Sequence, residues 1–486
     1  MPNNKVQLIT YPDSLGGNLE KLELVMDKYL KDYIHGIHIL PFFPSSADRG
    51  FAPIDYKKVE ESFGDWENIK SLGEKYELMA DFMVNHVSAQ SLAFKDYLEK
   101  GEDSEYAEMF IPIEKFWADG VLPNKDLKKI FLRKPDTPFT EFRVGKNQEQ
   151  KQIWTTFGEE QIDIDINTPK TKEYIEDTLK FLASQNISQI RLDAFAYTTK
   201  KAGTSCFFNT PELFDILNWV ENIASKNNLS LLPEVHTDYE RQLNIAENGY
   251  WVYDFNLPFL VIHALEKADK TYLENWLKIC PKKQYTTLDT HDGIPVQPDI
   301  TGLIPVSEAK EISELLINRG ANINQVLKKK GEELDFDVHQ INCTYYSALE
   351  ENNQKYLAAR LIQLFSPGIP QIYYTGLLAG KNDQQRYQET GVGREVNRHN
   401  YSIEEIEQEI KKPLVIEFLN LIKFRNECPA FNGNFKIIEA DEKELIHIKW
   451  ENEKDYAELK LNLSSFNYEI LSNYDLKTPS LCISPK

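Results

Sequence analysis

The sequence predicts an α/β fold, a (β/α)8 TIM barrel with two inserted subdomains and a small C-terminal β domain. Three observations predict it. Short apolar runs recur eight times, with helical patterns between several of them, the alternation that builds a parallel sheet wrapped in helices. Two intervals between runs are too long for a single helix. Beyond Asn432 the pattern changes to short alternating stretches, as half-buried strands require.

The first expected strand is Val6–Thr10, and the second, Gly36–Leu40, is stopped by Pro41. Glu77–Val84, Ser188–Asp193, Ser230–Val235, Trp251–Phe255 and Gln284–Leu288 are the third to the seventh. Gln371–Tyr374 is the eighth, entered through the turn Ser366-Pro-Gly-Ile-Pro370. Continuous apolar runs suit strands covered on both faces. Helical patterns lie over Glu20–Tyr33 and Lys172–Ser184. About 110 residues separate Asp81 from Asp193, and about 80 separate strands seven and eight, against roughly 30 per barrel repeat. Connections of that length are usually lids or inserted subdomains. The expected organisation is therefore barrel over 1–86, 169–292 and 354–432, insertions over 87–168 and 293–353, and a β domain over 433–486. Its strands are expected at Phe435–Ile438, Leu445–Trp450 and Ala457–Leu463. The Lys328-Lys329-Lys330 run reads as a solvated loop.

Composition bounds the function. The 486 residues carry 55 Lys and Arg against 76 Asp and Glu, a net charge of −21. That argues against a nucleic-acid partner, which needs a basic footprint, but leaves room for a small basic pocket. Five scattered cysteines, Cys206, Cys280, Cys343, Cys428 and Cys482, suggest neither a disulfide framework nor a zinc site. The N-terminal Met1-Pro-Asn-Asn-Lys5 lacks a secretion pattern, and no apolar run reaches the roughly 20 residues of a membrane span. A cytoplasmic protein acting on a small molecule is expected, as a monomer or a homodimer, with no membrane partner.

In a barrel of this type the active site lies at the carboxyl ends of the strands. Here those ends are polar. Strand three supplies Asp81 and then Asn85-His86; strand four carries Arg191-Leu-Asp193, both on one face by the period of two. Strand five carries Glu234 and His236, and strand seven runs into Asp289-Thr-His291-Asp292-Gly293. Singly, each has a plainer reading. A strand-end carboxylate often caps a turn, Arg191 and Asp193 could be a structural ion pair, and Asp292-Gly293 could be a turn. Four such clusters on successive strand ends argue for a site. Three carboxylates facing one pocket suit glycoside chemistry, in which one acid protonates the leaving oxygen and a second carboxylate attacks the anomeric carbon or activates water.

With Asp81-Phe-Met-Val-Asn85-His86, Arg191-Leu-Asp193-Ala-Phe195, Glu234 and His291-Asp292 in this order, the sequence resembles glycoside hydrolase family 13, the α-amylase family. Within it the chain looks like the sucrose phosphorylases over nearly its whole length. Supporting segments are Val6-Gln-Leu-Ile-Thr-Tyr11, His38-Ile-Leu-Pro-Phe-Phe43, Asp48-Arg-Gly-Phe51, Gln161-Ile-Asp-Ile-Asp165, Pro233-Glu-Val-His236 and Arg394-Glu-Val-Asn-Arg398-His399. The resemblance implies Asp193 as the nucleophile of a covalent glucosyl-enzyme, Glu234 as general acid and then base, and Asp292 as transition-state stabiliser. It implies Arg191 as the cation keeping Asp193 ionised, with Asp48, His86, His291 and Arg398 contacting the glucosyl ring. Phe51 and Phe157 would be apolar walls, and Gln340 and Tyr197 would lie near the acceptor. No metal and no cofactor is implied beyond inorganic phosphate as co-substrate.

Phosphate is a dianion approaching a site rich in carboxylates, so cations must stand nearby. Candidates are Arg133, Lys134, His339, Arg394 and Arg398; a single Lys or Arg is more often solvated, which gives Lys134 and Arg394 little weight. The loop Asp337-Val-His339-Gln340 departs from the Tyr-bearing loop of sucrose phosphorylases and resembles the sucrose 6′-phosphate phosphorylase branch. So do Phe131-Leu-Arg133-Lys134 and Gly203-Thr-Ser-Cys-Phe-Phe208. The expected function is retaining phosphorolysis of sucrose 6′-phosphate, with Arg133 and His339 on the fructosyl phosphate and His236 and Asp337 on the acceptor side. The alternatives are a sucrose phosphorylase in which His339 only fills the tyrosine's space, an α-glucosidase-type hydrolase, and a catalytically dead scaffold.

Overall fold

The structure is a computed structural model that describes residues 2–324, 336–474 and 483–484. The Lys328–Lys330 run and Cys482 lie outside the described residues. Eight strands form one sheet: β1 Gln7–Thr10, β2 Gly36–Ile39, β3 Glu77–Met83, β4 Ile187–Asp193, β5 Ser230–Pro233, β6 Val252–Asp254, β7 Gln284–Thr286 and β8 Ile369–Tyr373. Their hydrogen-bonded order is β6-β7-β8-β1-β2-β3-β4-β5. Chain order is thus kept around the sheet, with β8 returning beside β1, as in a nearly closed (β/α)8 barrel.

The chain divides into two compact units. One holds Ile39–Val235. In it β3 and β4 pair in parallel with Asp81 opposite Arg191 and Met83 opposite Asp193, and β4 pairs with β5 with Arg191 opposite Leu232. That register brings Asp81, Arg191 and Asp193 to one end of adjacent strands. The helix Pro169–Ser184 precedes β4; the Thr168 side chain caps it by accepting from Thr171 N–H, and Pro169 fits its first turn. The stretch expected as the first insertion has apolar clusters of its own. One gathers Val87, Phe94, Met109, Phe110, Ile153 and Ile162, and the other gathers Ile111, Trp117, Ile130, Phe139 and Trp154 and is joined by Cys206 from the chain after β4.

The other unit holds the described residues of Met1–His38, His236–Gln325 and Phe336–Lys486. Its strands β6, β7, β8 and β1 pair in parallel. A small antiparallel sheet joins Ile294–Pro295, Gln340–Asn342 and Asn322–Asn324. The C-terminal sheet runs Asn434–Ile437, Leu445–Glu451, Tyr456–Asn462, Tyr468–Ser472 and Ile483–Ser484, in that order. Burial alternates along its two central strands, as one covered face and one wet face require.

Several element ends shift from expectation, β5 stopping at Pro233 just before Glu234 and β7 at Thr286, and three further differences stand out. The helix expected over Glu20–Tyr33 is α-helical only at Leu19–Val25 and continues as a π-helix over Met26–Leu30. β8 starts two residues early, so Ile369 and Pro370 belong to the strand; Pro370 lies opposite Thr286, a tolerated place for proline at a strand's beginning. Tyr468–Ser472 is a strand that the sequence did not announce, because polar residues flank its short apolar core.

Candidate functional site

The residues expected at the site fall into two groups, one in each unit. Asp48, Phe51, His86, Arg133, Phe157, Arg191, Asp193, Tyr197 and Glu234 belong to the unit Ile39–Val235. His236, His291, Asp292, Asp337, His339, Gln340 and Arg398 belong to the other.

Arg191 organises the first group. Its Nη1 donates to Asp81 Oδ1 at 2.5 Å and to Asp193 Oδ1 at 3.0 Å, and its Nη2 donates to Glu234 Oε1. The other oxygen of Glu234 accepts from the Ala194 N–H at 3.2 Å. Ala194 adopts a left-handed conformation, with φ +53°, which turns the chain directly after Asp193. The side chains of Arg191 and Asp81 are 4% and 0% exposed, those of Asp193 and Glu234 13% and 11%. Arg191 and Asp81 thus form a buried base, while Asp193 and Glu234 keep an open edge. One guanidinium faces three carboxylates, so full ionisation leaves the cluster two negative charges in excess.

Aromatic rings and a buried histidine stand beside it. The Arg191 guanidinium lies over Phe51, with Cζ 5.7 Å from the ring centre. Phe157 meets His86 and Tyr197 edge to face, at 5.6 and 5.1 Å. His86 Nε2 bonds the Phe51 carbonyl at 2.9 Å; a carbonyl only accepts, so Nε2 carries the proton. Burial lowers the His86 pKa, and nearby Asp163 and Asp48 oppose that shift, so the ring is neutral at pH 7. Asp48 and Arg49 both have left-handed backbones, with φ +50° and +48°, uncommon for side chains of this kind and frequent at functional sites.

Arg133 reaches this neighbourhood. It hydrogen-bonds the Tyr197 hydroxyl, whose pKa burial pushes up to about 12 while Arg133 pulls it down and Glu234 and Asp193 add to the rise. The Arg133 loop is anchored on both sides. Phe131 N–H donates to the Ser205 carbonyl at 2.8 Å, and the Phe131 ring packs on Phe207 at 4.8 Å. Lys134 Nζ donates to the Phe139 carbonyl at 3.0 Å, to Thr140 Oγ1 at 2.8 Å and to Thr155 Oγ1. The expectation that Lys134 is a solvated cation is therefore corrected. Three neutral oxygens hold it, and burial lowers its pKa to about 8.

In the second group Asp292 is the centre. Arg394 Nη1 lies 2.9 Å from its Oδ1 and Arg398 Nη2 4.0 Å, while His291 Nε2 lies 3.6 Å from Oδ2. Arg398 also donates to the His291 carbonyl at 3.0 Å and lies over the Tyr11 ring. Arg394, given little weight from the sequence, is an ion-pair partner of Asp292 and approaches Gln340 Oε1 at 3.5 Å. Asn342 donates to the Asp292 carbonyl at 2.7 Å. Gly293 follows at φ +102°, and a Cβ there would run into the Ile341 carbonyl, so only glycine fits this turn. Below it, Arg360 in an apolar buried helix pairs with Asp289 at 2.9 Å. Burial raises the Asp289 pKa and Arg360 opposes the shift.

The two remaining histidines lie together. His236 Nδ1 bonds Asp299 at 3.0 Å, and its ring stacks on Phe255 at 4.0 Å. His339 stands edge to face with His236 at 5.5 Å, and its Nδ1 bonds the Gln297 carbonyl at 2.5 Å. Asp337, two residues earlier, is half-buried.

Sequence reasoning missed Lys200, Asp163 and Arg360. Lys200 donates to Asn85 at 2.6 Å and pairs with Asp163 at 2.8 Å, tying the strand that bears His86 to the chain after β4. A lysine beside Lys201 reads as solvent-facing, and nothing local marks it otherwise. Arg360 did leave a signal, the single charge in the run Leu357–Phe365, where Gln363 is the one other polar residue. Among the described residues no group of three or more His, Cys, Asp or Glu is placed to hold a metal ion, and no helix is long and apolar enough to cross a membrane.

Comparison with known proteins adds to the geometry. Residues 11–295 match the family model described as the α-amylase catalytic domain. The chain is 48% identical over 472 residues to a sucrose 6(F)-phosphate phosphorylase of Thermoanaerobacterium thermosaccharolyticum, covering 96% of each chain. It is 45% identical over 473 residues to a sucrose phosphorylase of Streptococcus mutans, covering 97% of this chain and 98% of that one. A crystal structure of the sucrose 6F-phosphate phosphorylase from Thermoanaerobacter thermosaccharolyticum superposes with a TM-score of 0.94 at 46% identity, over 98% of this chain and 96% of that one.

Proposed function

The chain belongs to the α-amylase family, and on that premise we propose that it catalyses reversible phosphorolysis of sucrose 6′-phosphate to α-D-glucose 1-phosphate and fructose 6-phosphate. Its relatives are disaccharide phosphorylases, and the chain is an enzyme of that hexosyltransferase class. Inorganic phosphate is the co-substrate, and the reaction needs no cofactor.

In this reading Asp193 attacks the anomeric carbon while Glu234 gives its proton to the fructosyl oxygen. Phosphate then attacks the glucosyl-enzyme from the vacated side and Glu234 takes its proton. Two inversions give net retention. Arg191 supports both roles. Its bond to Asp193 favours the ionised nucleophile. Its single charge is shared among three carboxylates, and of the two on the open edge, Asp193 and Glu234, Glu234 is assigned the proton. Asp292, gripped by Arg394 and Arg398, is assigned to the glucose hydroxyls and to the positive charge that develops at the ring. His86 offers Nδ1 as an acceptor for a hydroxyl. Phe51 and Phe157 are assigned as walls for the sugar's apolar faces.

The observation that carries the 6′-phosphate is Arg133 bonded to Tyr197, whose hydroxyl feels the charges of Glu234 and Asp193. It supplies a cation where the leaving group must depart, and a guanidinium binds phosphate through paired, charge-assisted hydrogen bonds. His339 is assigned as the second donor. Identity of 45% to a sucrose phosphorylase supports a second reading, with the same chemistry and no phosphate on the fructose. Comparing kcat/KM for sucrose and sucrose 6′-phosphate in phosphate buffer separates the two. The proposal expects the phosphorylated sugar to be preferred by at least tenfold; a preference for sucrose rejects it. Free glucose in place of glucose 1-phosphate would move the chain to the hydrolases.

A further inference from the structure

Arg360 and Asp289 form an ion pair at 2.9 Å, with side chains 0% and 1% exposed. All three guanidinium nitrogens are engaged. Nε donates to the Tyr356 hydroxyl at 3.0 Å, Nη1 to Gln363 Oε1 at 2.9 Å and Nη2 to Asp289 Oδ1. These partners are themselves tied to the barrel. Gln363 donates to the carbonyls of Thr286 in β7 and Gln371 in β8, both at 2.9 Å, and the Tyr356 hydroxyl donates to the Gly376 carbonyl just after β8. The rings of Tyr345, Tyr356 and Phe418 stand around the cation, 5.0 to 5.5 Å from Cζ. Gly376 closes the chamber: a Cβ there would meet Arg360 Nη2 at 2.1 Å and Asp289 Oδ2 at 2.6 Å.

Such a pair adds little stability. Desolvating both charges cancels most of their attraction, and apolar residues of the same volume often serve a fold as well. What a dry, fully bonded guanidinium supplies is a fixed position. Asp289 comes three residues before Asp292, and the turn between them has no loose joint. Thr290 and Gly293 exchange backbone hydrogen bonds at 3.4 and 3.1 Å. The Asp292 N–H donates to Thr290 Oγ1 at 3.2 Å, Asn397 donates to the Thr290 carbonyl at 3.1 Å, and Asn342 donates to the Asp292 carbonyl at 2.7 Å. A displaced Asp289 therefore displaces Asp292.

Resting on the assignment of Asp292 to the glucosyl transition state above, we infer that Arg360 is a positioning residue for the reaction. Through Asp289 it fixes the foot of the turn that aims the Asp292 carboxylate, although it is wholly buried and lies about 70 positions further along the chain.

Removing one partner strands a buried charge and threatens the fold itself. The test therefore removes both. Asp289→Asn/Arg360→Met leaves no charge stranded and should melt within a few degrees of the wild type. Gly376→Ala displaces the pair without altering a charge, and decides alone if the double variant does not fold. Each variant is given α-glucosyl fluoride and phosphate, which involve no fructosyl unit, and is titrated with 1-deoxynojirimycin, a glucose-shaped cation. The expected result in both is a kcat at least tenfold lower and a Ki at least tenfold higher. Ki does not depend on the amount of folded enzyme, so a general structural defect would lower the rate and leave Ki in place. Wild-type kcat and Ki in either folded variant overturn the inference, and so does a lowered kcat with an unchanged Ki. Asp292→Asn is the control. If it keeps the wild-type kcat and Ki, the assignment of Asp292 fails and the inference with it. If it loses both while the other variants do not, the role of Arg360 alone fails.

Discussion

Arg191 shows how much one side chain decides. Its fork spans Asp81, Asp193 and Glu234, a geometry that a lysine ammonium cannot copy. Arg191→Lys should therefore fold yet lose at least a hundredfold in kcat, read from initial rates of glucose 1-phosphate release. Activity within a few-fold of wild type would mean that the carboxylates do not depend on the fork. Asp193→Asn and Glu234→Gln should each cost several orders of magnitude. At this scale the sequence was legible where chemistry sits on a strand end, as with Arg191-Leu-Asp193 and Glu234. It was illegible where a partner arrives from far along the chain. Arg394 looked solvated because Asp292 lies about 100 positions away. Lys134 looked solvated because its three acceptors are neutral oxygens, which leave no charge pattern.

Turns and loops place these side chains. Gly293 is committed to φ +102° with the Ile341 carbonyl where a Cβ would go. Gly293→Ala must move the loop that bears His291 and Asp292. It should lower stability by about 1–3 kcal/mol, the usual cost of such backbone strain, and depress kcat in the folded fraction. Unchanged melting and unchanged turnover would contradict this placement. The Arg133 loop has a different dependence. Lys134 fastens it, so Lys134→Met should raise the KM for sucrose 6′-phosphate several-fold with a smaller change in kcat; equal losses in both would point to a general defect. Elements were read best where apolar residues were dense, as in β3. They were read worst where a helix changed pitch at Met26 or a short strand such as Tyr468–Ser472 lay between polar neighbours, because a period needs length to show.

The order of eight strands came through in the sequence because a parallel sheet covered on both faces writes itself as apolar runs at intervals. The buried charges beneath it did not. Asp254 is one: burial raises its pKa to about 6, and bonds from Trp276, Leu257 and Asn256 only partly offset that. A carboxyl raised above its unfolded value of 3.8 stabilises the fold while protonated. That contribution is whole below about pH 4 and is lost as pH rises through about 6. The stability of wild type relative to Asp254→Asn should thus decline between about pH 4 and 6 and level off above that, by up to about 3 kcal/mol in all; a constant difference in Tm would show that the carboxyl ionises freely in the fold. All of the proposed chemistry, however, turns on a glucosyl group resting covalently on Asp193. The direct measurement uses Glu234→Gln with α-glucosyl fluoride, an activated donor that needs no acid, followed by proteolysis and mass spectrometry. The account predicts one glucosyl residue on the peptide containing Asp193, released as α-D-glucose 1-phosphate when phosphate is added. A label on another residue, or turnover of the fluoride with inverted stereochemistry and no label, would contradict it.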